Sequence, residues 1–375
     1  MNPTLRFVTS DPIDWYQVSI KDLVYPIKSG KSKKNDNGDY VLYGATGVIG
    51  LTNDVYNDDS LILAARVGSV GNVSLRHGKF GVSDNVLVIK PKENSNISFI
   101  YHLLVTKVNW KSLSNGTSQS VVSAKKVEAY KVYVSSLKEQ QKIAAFFTAL
   151  DEKISLTMEK ISSIRKINNK LVSDILDGGI RFSSANGQPF PNWKREKFCK
   201  SFSVKMCKRI FKEETLDKGD VPFYKIGTFG GKADSYITNE LFESYKKKYS
   251  YPSKGDTLIS CSGTVGRCVI FDGSPSYFQD SNIVWLEPND KNLDYDKFYL
   301  TLVLENLRWD SLSSSTIKRI YSKDLLEKEW FIPCLDEQQI IAEFISMLNN
   351  KLAIENEKLS SLMKLKMAFM QQMFV

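Results

Sequence analysis

The chain has 375 residues, 42% of them hydrophobic, enough for two modest cores and additional helices, and it contains no run of eighteen apolar residues. Lys and Arg outnumber Asp and Glu by 51 to 42, a surplus of nine that favours a polyanionic partner without requiring one. The opening MNPTLRFVTSDPID lacks the basic-then-apolar pattern of an export signal, and Cys199, Cys207, Cys261, Cys268 and Cys334 have the spacing of neither a zinc ribbon nor a finger. A cytoplasmic protein with reduced thiols and no metal is therefore expected.

Residues 1–135 read as a β-rich domain: the β-branched and aromatic runs DYVLYG, SLILAARV and NVLVIKP are separated by Gly, Asn, Asp and Pro. Between them lie a glycine-containing loop after Tyr43, the loop VGSVGN, an Asp84-Asn85 turn and the loop SNGTSQ, with Lys28, Lys31, Lys33 and Lys34 nearby. LYGATGVIG places Gly44, Gly47 and Gly50 at the spacing of a dehydrogenase phosphate loop, but it leads into the turn-like LTNDVYNDDS rather than a helix, and no tyrosine has a lysine four residues on. Gly30-Lys31-Ser32 lacks the upstream glycine of a Walker loop, since Tyr25 stands there. Both motifs are chance matches.

Residues 136–180 form a long helix. Ser136 and Glu139 make a capping box, Gly178-Gly179 ends it, and Ile143, Phe147, Leu150, Ile154, Ile161, Ile164, Leu171 and Ile175 recur at alternating three-four spacing, interrupted by Thr157 and Asn168. A second β-rich domain, 181–334, carries DTLISC, RCVIF and NIVWLEP, with a loop after Tyr224, the loop SGTVGR and the turn Asp280-Ser281-Asn282. Lys205, Lys208, Arg209 and Lys246 to Lys248 in FESYKKKYSY supply basic and aromatic residues together, as phosphate contacts require. A second long helix fills 335–375, with its apolar stripe at Ile341, Ile345, Leu348, Leu352, Leu359, Leu362, Phe369 and Met373 and polar breaks at Glu355 and Lys366.

The two halves are copies. The 40 residues from Leu137 match the 40 from Leu335 without a gap at 14 positions. Upstream landmarks recur in the same order: Arg6-Phe7 with Arg181-Phe182, Trp15 with Trp193, Tyr43 with Tyr224, Gly68 and Gly71 with Gly263 and Gly266, Asn85 with Asn282. About 40 helical residues span roughly 60 Å, longer than a small domain is wide, so the two helices are expected to pack as an antiparallel coiled-coil spacer. An α+β fold with pseudo-twofold symmetry follows, suited to a ligand that is itself nearly two-fold, with duplex DNA the leading candidate.

No methyltransferase tetrapeptide, nuclease Glu-x-Lys or GxSxG appears, so the chain reads as a recognition module and not an enzyme. The repeated order of a β-rich domain followed by an LxEQQxI helix start, at Glu139-Gln140-Gln141 and Glu337-Gln338-Gln339, resembles the specificity subunit of type I restriction-modification enzymes. The resemblance implies two target-recognition domains that read the halves of a split DNA site. It also implies two modification (methyltransferase) subunits and restriction (motor-nuclease) subunits as partners, with S-adenosylmethionine, Mg and ATP bound by them and none by this chain. As loop positions it singles out Thr46, Ser69, Asn72, Asn85, Asn115, Thr117 and Gln119, and in the second half Thr228, Thr264, Arg267, Asn282, Ser315, Thr316 and Lys318. Lys31, Lys33, Lys34, Lys208 and Arg209 complete the expected DNA contacts, while Gln140, Gln141, Gln338 and Gln339 are expected at helix starts or a partner surface. Two rival readings stay open: a coiled-coil scaffold that does not read DNA, and a short-chain dehydrogenase using the GATGVIG loop.

Overall fold

The computed structural model describes residues 2–7, 14–115, 121–309 and 319–375. The chain forms two compact units that do not follow sequence order: one gathers Met1–Ile161 with Glu355–Val375, the other comprises Ser162–Ile354. Each long helix is therefore shared between them.

In the first unit Ser60–Ala65 and Val86–Ile89 are the central strands of a four-stranded sheet, flanked by Val73–His77 and Lys28–Ser29. The run SLILAA is almost wholly buried because both of its faces are covered. Leu61 and Leu63 pack with Phe80, Val82 and Val86, while the alternate Ile62 and Ala64 join the main core with Leu87, Ile89 and Phe99. A three-stranded sheet places Tyr40–Gly44 between antiparallel Gly47–Thr52 and parallel Gly81–Val82. The glycine-rich LYGATGVIG is thus a hairpin closed by the two-residue turn Ala45-Thr46, with Gly47 at φ +119°, and it opens no helix.

The second unit repeats this plan. Thr257–Ser260 and Ile283–Pro288 lie between Cys268–Ile270 and Phe202–Met206, and Val221–Tyr224 lies between antiparallel Tyr236–Ile237 and parallel Tyr277–Phe278. All six runs read as strands form strands. The helices Ile97–Lys107 and Lys297–Glu305 are not foreshadowed by sequence pattern, because their apolar residues surround the axis and give no amphipathic stripe. Asn239–Lys248 is a further helix, between Tyr236–Ile237 and Thr257–Ser260, that the first unit lacks at the equivalent place.

The long helices run over Leu137–Leu176 and Leu335–Met373, 40 and 39 residues. In the first unit they pack antiparallel: Phe146 meets Phe369, Asp151 pairs with Lys366, and Lys160 pairs with Glu355. In the second, Ile175 shares a core with Ile341 and Ile345, and the Asn168 amide donates to the Leu348 carbonyl. The polar breaks in the seam are each engaged in place. Thr157 donates to the Lys153 carbonyl, while Asn168, Glu355 and Lys366 bond across to the other helix.

The capping box expected at Ser136 and Glu139 forms only by half. The Ser136 hydroxyl accepts from the Glu139 amide at 3.4 Å, but the Glu139 carboxylate does not turn back to the cap. It is buried and receives a two-pronged bond from the Arg6 guanidinium, at 3.1 and 2.8 Å. Glu337 is held in the same way by Arg181, at 2.7 and 2.9 Å, and also by the Trp193 indole N–H at 2.7 Å. A charge-assisted fork outcompetes a single backbone bond, which explains the choice. Gln140 and Gln338 serve the helix starts as expected: each amide donates to the carbonyl of residue 135 or 333 and accepts the backbone N–H of Asn96 or Asp296. These two residues cap the neighbouring helices in turn. Gln141 and Gln339 are exposed.

Candidate nucleic-acid interface

The loops singled out from sequence come together within each unit, and the same backbone hydrogen bonds hold them. In the first, the Arg66 amide donates to the Asn85 carbonyl, the Ala65 amide to Asn72, the Ser83 amide to Tyr43 and the Val122 amide to Arg66. In the second, Cys261 donates to Asn282, Ser260 to Arg267, Gln279 to Tyr224 and Ile320 to Cys261. Gly71 lies against the Trp110 ring and Gly266 against Trp309, so close that a Cβ at either glycine would stand within 3 Å of the tryptophan. Three loops, with Val122 or Ile320 beside them, are thus tied together twice over, by contacts that depend on backbone rather than on side-chain identity. Loop side chains can then vary while the frame stays fixed.

Within the first cluster Thr46 and Ser69 are exposed, Asn85 is exposed beside its bonded carbonyl, and Asn72 donates from its side chain to the Ala45 carbonyl at 3.2 Å, joining two loops. Lys31, Lys33 and Lys34 are exposed along the irregular segment after Ser29; Lys34 pairs with Asp36 and lays its stem over Gly50. In the second cluster Thr264 is exposed, while Arg267 donates to the Phe229 carbonyl at 2.8 Å. Thr228 turns on its own loop, its hydroxyl accepting from the Lys225 amide, and Asn282 accepts from the Ser262 hydroxyl at 2.8 Å. Arg209 is neutralised by Asp280 at 2.8 Å and so braces the third loop; the Lys208 ammonium lies 5.4 Å from the centre of the Tyr249 ring, with Lys248 at 5.3 Å. Thr117, Gln119, Ser315, Thr316 and Lys318 lie outside the described residues, as does the Asn115 side chain.

Three arginines in these clusters escaped the sequence reading. Arg76 lies over the Tyr43 ring with its guanidinium carbon 4.7 Å from the centroid, Arg66 sits at the crossing of two loops, and Arg319 donates to the Ser281 carbonyl and hydroxyl at 3.4 and 3.3 Å. Ser281 has φ +54°, the one positive value at a non-glycine among the described residues, and backbone strain of this kind gathers at binding loops. The available signal was scarcity: residues 1–135 contain just three arginines, Arg6, Arg66 and Arg76, and the last two flank the VGSVGN loop.

Two β-rich loop-bearing domains, each bolted to the start of a long helix, define a fold found in solved S subunits. The type I restriction-modification S subunit from M. genitalium matches with a TM-score of 0.65 at 18% identity, over 100% of this chain and 99% of its own. A chain from a study of complex assembly and conformational transition in a type I system matches at 0.58 and 20% identity, over 97% and 98%. In sequence, the type I restriction modification DNA specificity domain matches residues 12–166 and again 193–364. A type I restriction enzyme specificity subunit of Haemophilus influenzae is 37% identical over 344 residues, 85% of this chain and 82% of that protein. The MjaVIII specificity subunit of Methanocaldococcus jannaschii is 23% identical over 392 residues, 96% and 92% of the two chains. The chain belongs to the type I restriction-modification DNA specificity family, and its role is recognition of DNA sequence.

Proposed function

We infer that each domain reads one tract of a split DNA target, and that the chain thereby directs adenine methylation and cleavage performed by partner subunits. Two modification subunits and the restriction subunits are the partners, and S-adenosylmethionine, Mg and ATP belong to them. This chain contributes position: it brings a base-reading surface to each tract, while extrusion of the adenine and transfer of the methyl group take place in the modification subunit. The observation that carries the reading is the doubled loop frame, in which identical backbone bonds gather different side chains in the two domains. One scaffold with two sets of side chains is what reading two unlike tracts requires.

The test is a domain exchange. Replacing residues 1–135 with the corresponding segment of a relative, in cells carrying the intact system, is expected to change one half of the methylated site and leave the other half as it was. Changes in both halves would show a single joint reading surface. A purified chain that shows no salt-dependent affinity for duplex DNA would favour the scaffold reading instead.

A further inference from the structure

The two loop clusters share a frame but differ at one place inside it. Arg76 and Phe271 occupy the same ladder position, since Arg76 faces Leu61 in the first domain and the Phe271 amide bonds to Asp256 in the second, both 195 residues apart. The two residues line equivalent concavities, framed by Tyr43, Leu63 and Ser74 in one domain and by Tyr224, Leu258 and Val269 in the other. In the second domain Phe271 turns edge-on to Phe278, and an aromatic-walled cavity of about 230 Å³ remains. In the first, about 40 Å³ remains, and the Arg76 guanidinium lies there on the Tyr43 ring, beside the hairpin tip and Asn72.

Arg76 is placed there at an electrostatic cost. Its Nε is buried without a hydrogen-bond partner, and among the described residues no carboxylate pairs with it. A buried donor on a permanent cation, left unmet, is unfavourable unless something arrives to accept from it. Arg6, by contrast, is fully engaged by Glu139. The Tyr43 ring covers one side of the Arg76 guanidinium, which limits where its donors can point before any ligand is present.

We propose that Arg76 is a specificity-determining residue of the first domain and reads the major-groove edge of a guanine, donating to O6 and N7. This rests on the reading of the first domain as the reader of one tract. A planar fork packed on an aromatic ring inside the loop cluster, beside the hairpin tip and Asn72, matches the paired acceptors of guanine, whereas the exposed lysines after Ser29 suffice for phosphate. The second domain, with Phe271 at that position, reads its tract by other means.

The test uses Arg76→Gln and Arg76→Lys in the full chain, in cells carrying the intact system, with methylated sites mapped and methylation rates measured on duplexes altered one base pair at a time. Discrimination at one G·C pair in one tract is expected to fall about ten-fold or more in Arg76→Gln, with every base of the other tract read as before. Arg76→Lys, which keeps the charge and the stacked position but loses the planar fork, is expected to discriminate less well than the parent at that same pair. Unchanged recognition in both variants overturns the proposal and leaves the two-domain reading standing. Uniformly weaker methylation with unchanged base preference and a shallower salt dependence overturns it in favour of a phosphate contact. Loss of folded complex in both variants also overturns it, making Arg76 a packing residue. Altered preference in both tracts would instead refute the division of labour between the domains.

Discussion

His102 is a buried histidine of the first unit, on the helix Ile97–Lys107. It is 1% exposed, its ring packs 4.7 Å from Phe147, and its Nε2 lies 3.7 Å from the Asp151 carboxylate, which Lys366 also holds. Burial is the main cause that pushes its pKa down, to about 4; the Lys366 charge adds to this and Asp151 opposes it. The folded protein therefore keeps the ring neutral, while the unfolded chain, with an ordinary value near 6.5, takes up a proton first. Stability from this site is full above about pH 6.5 and is lost as pH falls toward 4, by on the order of 3 kcal/mol. His102→Leu is expected to flatten that slope, measured as the denaturant midpoint between pH 7 and pH 5, where few carboxylates titrate. Parallel curves for the two proteins would refute the assignment.

At the scale of elements, the two long helices were legible because their stripes persist over many turns, and six of the strands because short β-branched runs end at glycine, asparagine and proline. What sequence could not supply was which residue lies opposite which. The repeat aligns 154–160 with 352–358, yet the structure sets Lys160 against Glu355 and Asp151 against Lys366, so the segment facing 154–160 is 355–361. Equivalence in a repeat and opposition in an antiparallel pair are different relations, and only packing decides the second. The same limit explains Glu139, read as a cap from three-residue spacing but claimed by Arg6, as its counterpart Glu337 is claimed by Arg181, each more than 130 residues away. It explains Arg209 too, a surface cation by sequence and a brace to Asp280 in the fold. The loop positions were found as loops; their side-chain partners were not, because loop composition carries no register. Deleting 154–160 together with 355–361 removes one heptad from each helix, and with them both members of the Lys160–Glu355 pair, while keeping the register of the seam. If the helices set the gap between tracts, about 10 Å is lost and the gap shortens by roughly three base pairs with the recognised bases unchanged. Methylation at the original spacing would mean that the helices do not set it.

For the whole molecule, the division of each helix between two units ties distant parts of the chain to one another. The core of the first unit contains Met373 and Phe374; the Phe374 ring lies 5.3 Å from Phe99 and 6.3 Å from Trp15, and the Leu5 amide donates to the Gln372 carbonyl at 3.0 Å. Removing residues 369–375 is therefore expected to destabilise the first domain, by several kcal/mol judged from the loss of buried aromatic side chains, and to spare the second, which precedes it in sequence. Hydrogen exchange would show it as lost protection at Ser60–Ala65 with Thr257–Ser260 still protected, and the opposite pattern would refute it. The same feature orders events during synthesis. The second unit, Ser162–Ile354, has all of its chain before the first unit has its last 21 residues, although the first began to emerge earlier. At 5–20 residues per second, the 214 residues from 162 to 375 take roughly ten to forty seconds. Throughout that interval the first domain stands with Trp15, Phe99 and Phe147 lacking their final partner, so the half of the reader made first is the half that waits longest to close and has most need of a chaperone's cover.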